Sequence, residues 1–272
     1  MSPPGTPIAE VPGWQGQILA VLLPALHERF PGGARFGVTG SVATGTTDRL
    51  SDLELIAMSA VLPDAAGDLA ILTVAGPVWS IDRQESAGDR TLRVVYADGR
   101  RIDLLLRTSG SDLPEPVLWL DFAATPGSSP LPALPERRDP ARAEVLAVRH
   151  VAALAAAKLG RSDLLIGAHL CLEVARQVLV VSMWLRDQEP GRTHRHHGGR
   201  RDSDSLRVSG ALSGLRADAG PEDWIDLLLR LTVAFDAAAK EPWPDHGPDW
   251  QGLDAIVAAA RTALAEPPEL GP

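Results

Sequence analysis

Cysteine is scarce in this sequence of 272 residues, in which Cys171 is the single example. One cysteine cannot form an internal disulfide. Its setting in HLCLEVAR, an apolar helical pattern, predicts a small buried residue, and a nucleophilic role is the alternative. The apolar residues, 45% of the chain, therefore have to supply the core without a disulfide.

Two further absences concern membranes. The first residues, MSPPGTPIAEVPG, lack the basic start and the continuous apolar segment of a signal peptide. No run of about 18 uncharged apolar residues occurs anywhere in the chain. We therefore expect a soluble, cytoplasmic protein with no membrane partner.

Positive charge is also in short supply, because 26 Lys and Arg residues face 35 Asp and Glu residues, for a net charge of −9. Binding to a phosphate backbone requires clustered cations, so we do not expect a nucleic-acid partner. A local basic site would still suit a small anionic ligand. The sequence makes no prediction of the oligomeric state.

The order of the patterns predicts an α+β fold, in which a small mixed sheet is followed by a C-terminal α-helical bundle. We expect a tail over 1–13, a mixed catalytic domain over 14–110, a Pro-rich connector over 111–140 and a helical domain over 141–272. The first domain is predicted to contain a helix in GWQGQILAVLLPALHERF, a short helix over 63–76, strands in FGVTG, LSDLELIAMS and VWSIDRQ, and a hairpin in TLRVVYADGRRIDLLLRT.

Three carboxylates carry the chemistry that the sequence suggests. Asp52 and Glu54 are two positions apart on a predicted strand and so project from one face, and Asp103 lies in an apolar strand that could run beside it. Such charges repel each other and need a cation between them. Oxygen ligands suit Mg²⁺, and two ions about 3.5 to 4 Å apart can clamp an in-line displacement at phosphorus. The alternative is a set of solvated acids paired with arginines, namely Arg49, Arg100, Arg101 or Arg107.

A Gly-Ser turn, Gly40 and Ser41, precedes these acids. Glycine lets a backbone approach a phosphate closely, and the N–H groups of such a turn, with the Ser41 hydroxyl, can hold the outer phosphates of a nucleotide. We therefore predict a nucleoside triphosphate, ATP or another NTP, as co-substrate.

The stretch GSVATGTTDRLSDLEL, with the later apolar strand around Asp103, resembles the nucleotidyltransferase superfamily typified by DNA polymerase β over residues 36–107. The resemblance implies that Asp52 and Glu54 bind two Mg²⁺ ions, that Asp103 ligates the catalytic metal near the attacking oxygen, and that loss of any one abolishes turnover. Glu54 stands where Asp is usual, and Thr44 stands where many members have a basic residue at the phosphates. The positions that match the signature are Gly40, Ser41, Gly45, Ser51, Asp52, Glu54 and Asp103.

The second half is similar in size, order and helical content to the aminoglycoside and lincosamide adenylyltransferases. Lys158 and Arg161 would then supply the phosphate-binding charge that Thr44 lacks; the alternative is a solvated helix end. Glu173 has two interpretations: an ion pair with Arg176, or a general base for the acceptor hydroxyl whose pKa is raised by its apolar setting.

Two loops stay open to interpretation. GRTHRHHGGRR predicts a mobile basic loop, with zinc ligation by His194, His196 and His197 as the alternative. Trp243 and Trp250 lie in the loop EPWPDHGPDW, where they either pack on the core or line an acceptor pocket.

The resemblance implies a Mg²⁺-dependent nucleotidyltransferase that moves AMP from ATP to a hydroxyl of a small molecule and releases pyrophosphate. An aminoglycoside or lincosamide acceptor would make the protein an antibiotic-resistance enzyme. The alternatives are transfer to a tRNA or protein acceptor, and a catalytically silent nucleotide-binding module.

Overall fold

The structure, a computed structural model, describes residues 6–30, 32–65, 67–86, 88–122, 140–187, 202–213, 215–216 and 218–266. The His- and Arg-rich loop singled out in the sequence lies outside these residues. The chain divides into two compact units, Met1–Leu146 and Ala147–Pro272.

A seven-stranded mixed sheet forms the centre of the first unit, in the order β1-β7-β2-β3-β6-β5-β4. The β1/β7 and β3/β6 pairs are parallel, and the other neighbours are antiparallel. The strands are β1 (Thr6–Pro7), β2 (Arg35–Thr39), β3 (Leu53–Ser59), β4 (Val78–Ser86), β5 (Asp89–Tyr96), β6 (Arg101–Thr108) and β7 (Leu118–Asp121).

Helices cover one face of this sheet. They are α1 (Gly13–Arg29), α2 (Gly40–Thr44) and α3 (Asp68–Thr73), with a short 3₁₀ turn at Ile8–Glu10. The core joins apolar residues of α1 and α3 to the alternate positions of the strands that face them, such as Leu53 and Leu55 of β3. Glu54 and Met58 of β3 belong to the other face of the sheet, where both are partly exposed. The period-two pattern of β3 thus leaves a carboxylate on the side of the sheet opposite this core.

The predicted α+β architecture is confirmed, and the hairpin forms as β5 and β6, with a turn in which Gly99 has a φ of +85°. The helix predicted over 63–76 is shorter, Asp68–Thr73. Two strands were missed: β1 lies in the predicted tail and β7 in the predicted connector. Strands of two and four residues are too short to show an alternating pattern, so the sheet extends beyond 14–110.

The described part of the second unit is helical. Helix α5 packs against α6 and α7, and α6 also packs against α7. Cys171 on α5 is fully buried, as predicted, and burial raises the pKa of its thiol to about 12. A thiol with such a pKa is a core residue rather than a nucleophile. The helices are α4 (Pro140–Gly160), α5 (Leu164–Asp187), α6 (Asp202–Leu212), α7 (Pro221–Ala239) and α8 (Gln251–Ala265).

One described stretch, Leu164–Met183 of α5, is long and apolar enough to cross a membrane by length and composition alone. A core helix of a soluble protein meets the same criteria. The stretch also carries the charged side chains of Glu173 and Arg176.

The loop between α7 and α8 is fastened to α7 by Asp236. One carboxylate oxygen accepts a hydrogen bond from His246 Nε2 at 2.7 Å, and the other accepts one from Trp250 Nε1 at 2.8 Å. Both rings also lie edge-on to Phe235, with centroid distances of 6.1 and 6.4 Å. The indole N–H of Trp250 therefore has a structural partner, which favours core packing over the acceptor-pocket interpretation for this residue.

Asp236→Ala is expected to lower the free energy of unfolding by about 2 to 4 kcal/mol, because it removes the acceptor for two largely buried donors. Urea denaturation followed by circular dichroism measures this loss. Asp245→Ala, an exposed position in the same loop, is the matched control and should change stability by less than about 0.5 kcal/mol. Equal effects of the two substitutions would contradict the proposed fastening.

Candidate active site

The turn from β2 into α2 explains the glycine of the Gly-Ser pair. Gly40 has a φ of +62°, and a Cβ on this residue would lie 2.8 Å from Glu54 Oε1. A side chain here would be strained by the backbone and would collide with the carboxylate. Gly45, at the other end of α2, has a φ of +70° and open space around it. Both glycines thus allow a positive φ, and Gly40 in addition leaves room for the Glu54 carboxylate.

That difference gives a matched pair of substitutions. Gly45→Ala introduces backbone strain only, and its expected cost is about 1 kcal/mol of unfolding free energy. Gly40→Ala introduces a similar strain and displaces only the movable end of the Glu54 side chain, so we expect a cost of about 1 to 2 kcal/mol. Thermal denaturation of the two variants measures the difference. A Gly40→Ala variant that is less stable than Gly45→Ala by more than about 2 kcal/mol would contradict this expectation and would mean that Glu54 cannot move away from this backbone.

The loop before β3 is rigid for a reason that the sequence did not reveal. Asp48 Oδ1 accepts hydrogen bonds from the Leu50 N–H at 2.7 Å and from the Ser51 hydroxyl at 3.1 Å, and Ser51 Oγ accepts one from the Asp48 N–H at 2.8 Å. The Arg101 guanidinium donates to the Leu50 carbonyl. These bonds fix the chain immediately before Asp52.

The strand register brings the predicted carboxylates to one end of two parallel strands. Glu54 of β3 is opposite Asp103 of β6, and Asp52 lies two positions before Glu54. The pKa shifts of Glu54 and Asp103 agree with the proximity of the three carboxylates. Burial, and then the charge of Asp52, raise the pKa of Glu54. Burial, with the charges of Asp52 and Glu54, raises the pKa of Asp103 to about 6, against the opposing effect of Arg93 and Arg101.

The carboxylates do not form a complete metal-binding site by themselves. Among the described residues, no group of three His, Cys, Asp or Glu side chains is placed so that it could hold one metal ion. Such a group is not required for Mg²⁺, which commonly takes one or two carboxylates together with substrate phosphates and water. The metal-binding roles of Asp52, Glu54 and Asp103 stay predictions.

Two of the four arginines in the alternative interpretation pair with other carboxylates, whereas the charge of Arg101 does act on Asp103. Arg100 pairs with Asp98 at 2.7 Å, and Arg107 lies 3.9 Å from Asp89. The partner of Asp103 is Arg93 of β5, which the sequence interpretation did not consider; its Nε lies 3.4 Å from Asp103 Oδ2.

The hydroxyls of α2 differ in their hydrogen bonding. The Thr44 hydroxyl donates to the Gly40 carbonyl at 3.1 Å and shares a 2.8 Å hydrogen bond with the Thr46 hydroxyl. Ser41 is partly exposed, and its hydroxyl makes no hydrogen bond to the residues that the structure describes. Ser41 is therefore the better donor for a phosphate.

The predicted residues of the second unit have local partners. Lys158 Nζ, in the last turn of α4, lies 3.7 Å from Asp163, and the Arg161 N–H donates to the Lys158 carbonyl at 3.1 Å. Glu173 accepts hydrogen bonds from Arg176 Nε at 2.9 and 2.8 Å. The ion-pair interpretation of Glu173 is confirmed by these distances.

The raised pKa expected for Glu173 is wrong. The hydrogen bonds from Arg176, with help from Gln177, hold the pKa of this carboxyl below its ordinary value. The apolar neighbours in the sequence point to other sides of the helix, whereas Arg176, three positions on, shares the face of Glu173. A general-base role for Glu173 stays a prediction.

A scan against protein-family models found no match, and a search of curated proteins found none either. Among solved structures, the chain is similar to an aminoglycoside 6-adenyltransferase from Bacillus subtilis, with a TM-score of 0.30 and 11% identity over 94% of this chain and 100% of that one. It is also similar to the CD-NTase CdnG of Bradyrhizobium diazoefficiens in complex with GTP, with a TM-score of 0.21 and 17% identity over 96% and 89%. Likenesses of this degree identify no substrate.

The fold class follows from features of the chain itself. A Gly-Ser turn opens a short helix, Asp52 comes immediately before the next strand, that strand carries Glu54, and its parallel neighbour carries Asp103. Together with the mixed sheet and the helices that follow, this arrangement is an α+β fold in which the predicted turn and carboxylates lie at one end of the sheet.

Proposed function

We propose that this protein is a Mg²⁺-dependent nucleotidyltransferase that transfers AMP from ATP to a hydroxyl of a small molecule and releases pyrophosphate. The observation that carries the proposal is the register of Glu54 opposite Asp103, with Asp52 two positions away and the Gly40 backbone against Glu54. Partly buried acids that lie close together are costly to a fold, and a cation-binding site would account for them.

The chemistry of the donors fits magnesium. All three side chains offer carboxylate oxygen, and burial, together with the charge of neighbouring carboxylates, raises the pKa of Glu54 and Asp103, which a bound cation would offset. Asp52 and Glu54 would hold two ions together with the triphosphate, and Asp103 would hold the ion nearer the acceptor. The ions would supply neutralisation of the charge at the α-phosphorus.

The chain's own groups would position the reactants and accept the proton. Ser41 and the backbone of Gly40 would hold the outer phosphates, with Thr44 shaping the turn. In the second unit, Lys158 and Arg161 are proposed to contribute positive charge toward the triphosphate. The acceptor oxygen would form a bond to the α-phosphorus, the bond to the bridging oxygen would break, and pyrophosphate would leave. Asp103 would help to take the hydroxyl proton.

The acceptor is proposed to be a cationic small molecule such as an aminoglycoside. The excess of acidic residues, with a net charge of −9, supports a cation over a polyanion such as tRNA.

The test is pyrophosphate release from each of the four NTPs with Mg²⁺, against a panel of aminoglycosides, lincosamides and bulk tRNA, with mass spectrometry of any product. We expect release that requires both Mg²⁺ and one small-molecule acceptor. Release with tRNA alone would move the function to a macromolecular acceptor. Failure to bind any nucleotide would overturn the proposal.

A further inference from the structure

A row of charged side chains crosses the sheet beside the candidate site. In the strand register Glu54 is opposite Asp103, Asp103 is opposite Arg93, and Arg93 is opposite Asp82. Directly opposite residues on paired strands project from the same face. The guanidinium of Arg93 therefore lies between a carboxylate of the candidate site and a carboxylate outside it.

Arg93 is shared between these two carboxylates and is tightly bound by neither. Its Nε lies 3.4 Å from Asp103 Oδ2, and its Nη1 lies 3.5 Å from Asp82 Oδ2. A charge-assisted hydrogen bond to a carboxylate is shorter, about 2.7 to 2.9 Å. Gln84 Nε2 donates to the same Asp82 oxygen at 3.2 Å, which holds the outer carboxylate in place.

Two other arginines of the first unit lie closer to a carboxylate than Arg93 does. Arg90 Nη1 lies 2.6 Å from Asp68 Oδ2, and Arg100 Nε lies 2.7 Å from Asp98 Oδ2. About a third of the Arg93 side chain is exposed, and so is about a quarter of each of its partners. Arg93 thus has both the freedom and the second partner needed to change position.

From this geometry we propose that Arg93 is an exchangeable counterion of Asp103. Without metal, its guanidinium neutralises Asp103; when a divalent cation binds at Asp103, the guanidinium moves fully onto Asp82. Arg93 is in this sense a positioning residue that competes with the metal, and Asp82 is its acceptor. The inference rests on the proposed function, since it assumes that Asp103 is a metal ligand.

If Arg93 exchanges in this way, substitution of Arg93 and substitution of Asp82 should change the affinity for Mn²⁺ in opposite directions. Arg93→Gln removes the competing cation, so the protein should bind Mn²⁺ about five to ten times more tightly. Asp82→Asn removes the carboxylate that accepts the Arg93 guanidinium when it leaves Asp103. Mn²⁺ should therefore bind about three to five times more weakly. In the double variant Asp82→Asn should have almost no further effect, because no guanidinium remains to be moved.

The measurement is a titration of the free protein with Mn²⁺, in which electron paramagnetic resonance counts the unbound ion. Arg93→Lys keeps the charge and should stay within about twofold of the wild type. Arg107→Gln is the matched control. It removes the same charge from the face of β6 that carries Asp103, at a position about 13 Å from Asp103 along the strand. Its Mn²⁺ affinity should not change. Thermal denaturation of each variant confirms that it is folded.

The possible results distinguish failure of the proposed function from failure of the proposed role of Arg93. Wild-type protein that binds Mn²⁺ no better than Asp52→Ala would overturn this inference, whereas the proposed function falls only if nucleotide binding and pyrophosphate release also fail. If the wild type binds Mn²⁺ but Arg93→Gln binds it equally or more weakly, the inference alone is overturned. An Asp82→Asn effect that persists undiminished without Arg93 would also overturn it, since simple loss of a nearby negative charge would then explain the data.

Discussion

Asp52→Ala is expected to lower nucleotidyl transfer by about three orders of magnitude or more while leaving the protein folded. A metal-binding carboxylate supports several kcal/mol of charge stabilisation in the transition state, and each 1.36 kcal/mol corresponds to about a tenfold change in rate. Removal of Asp52 also relieves repulsion on Glu54 and Asp103, so no loss of stability is expected. Initial rates of pyrophosphate release at saturating ATP measure the effect.

The matched control is Asp112→Ala, which makes the same change at an exposed position of the same unit. It should retain the wild-type rate within about twofold, as is usual for surface substitutions. A folded Asp52→Ala variant that keeps more than about a tenth of the wild-type rate would contradict the metal-binding role of Asp52.

Asp103→Asn is expected to stabilise the magnesium-free protein at pH 8 by up to about 3 kcal/mol, although it removes a proposed catalytic group. The pKa of Asp103 rises from 3.8 to about 6 on folding. Below about pH 4 the carboxyl is protonated in both the folded and unfolded states. Between about pH 4 and pH 6 the unfolded state ionises while the folded state keeps its proton, so the wild type loses stability as the pH rises, and the loss is complete once the folded carboxyl ionises above about pH 6. Asparagine stays neutral and causes no such loss.

Urea denaturation in EDTA at pH 5 and at pH 8 tests this sign. The stability of Asp103→Asn relative to the wild type should increase with pH, and Mg²⁺ with ATP should reduce the difference by stabilising only the wild type. Asp112→Asn serves as the control and should show no such trend. A variant that is less stable than the wild type at pH 8 would mean that Asp103 is held by favourable contacts rather than strained by its neighbours.

The parts of the site that the sequence predicted are local. The glycines at both ends of α2, the two-residue spacing of Asp52 and Glu54, and the hairpin with its turn at Gly99 depend on backbone conformation over a few residues. The pairing of Glu173 with Arg176 is local in the same sense, because three positions along a helix bring side chains together.

The parts that the sequence did not predict depend on pairing across the sheet. The sequence suggested that the strand of Asp103 could run beside that of Glu54, but it left the direction and register of the pairing open, because the two residues are about fifty positions apart and no turn fixes their register. Arg93 was missed although a signal was present: a tight turn at Gly99 sets the hairpin register, and that register places Arg93 opposite Asp103. The strand β7 carries too few residues to show a period.

The most direct test of the account is the fate of the α-phosphorus. The protein is incubated with Mg²⁺, the acceptor found in the panel, and ATP labelled either at the α- or at the γ-phosphorus. We predict that the α label appears in the acceptor and the γ label in pyrophosphate, and that neither transfer occurs with Asp52→Ala. A γ label in the acceptor would make the protein a phosphotransferase and would contradict nucleotidyl transfer at Asp52, Glu54 and Asp103.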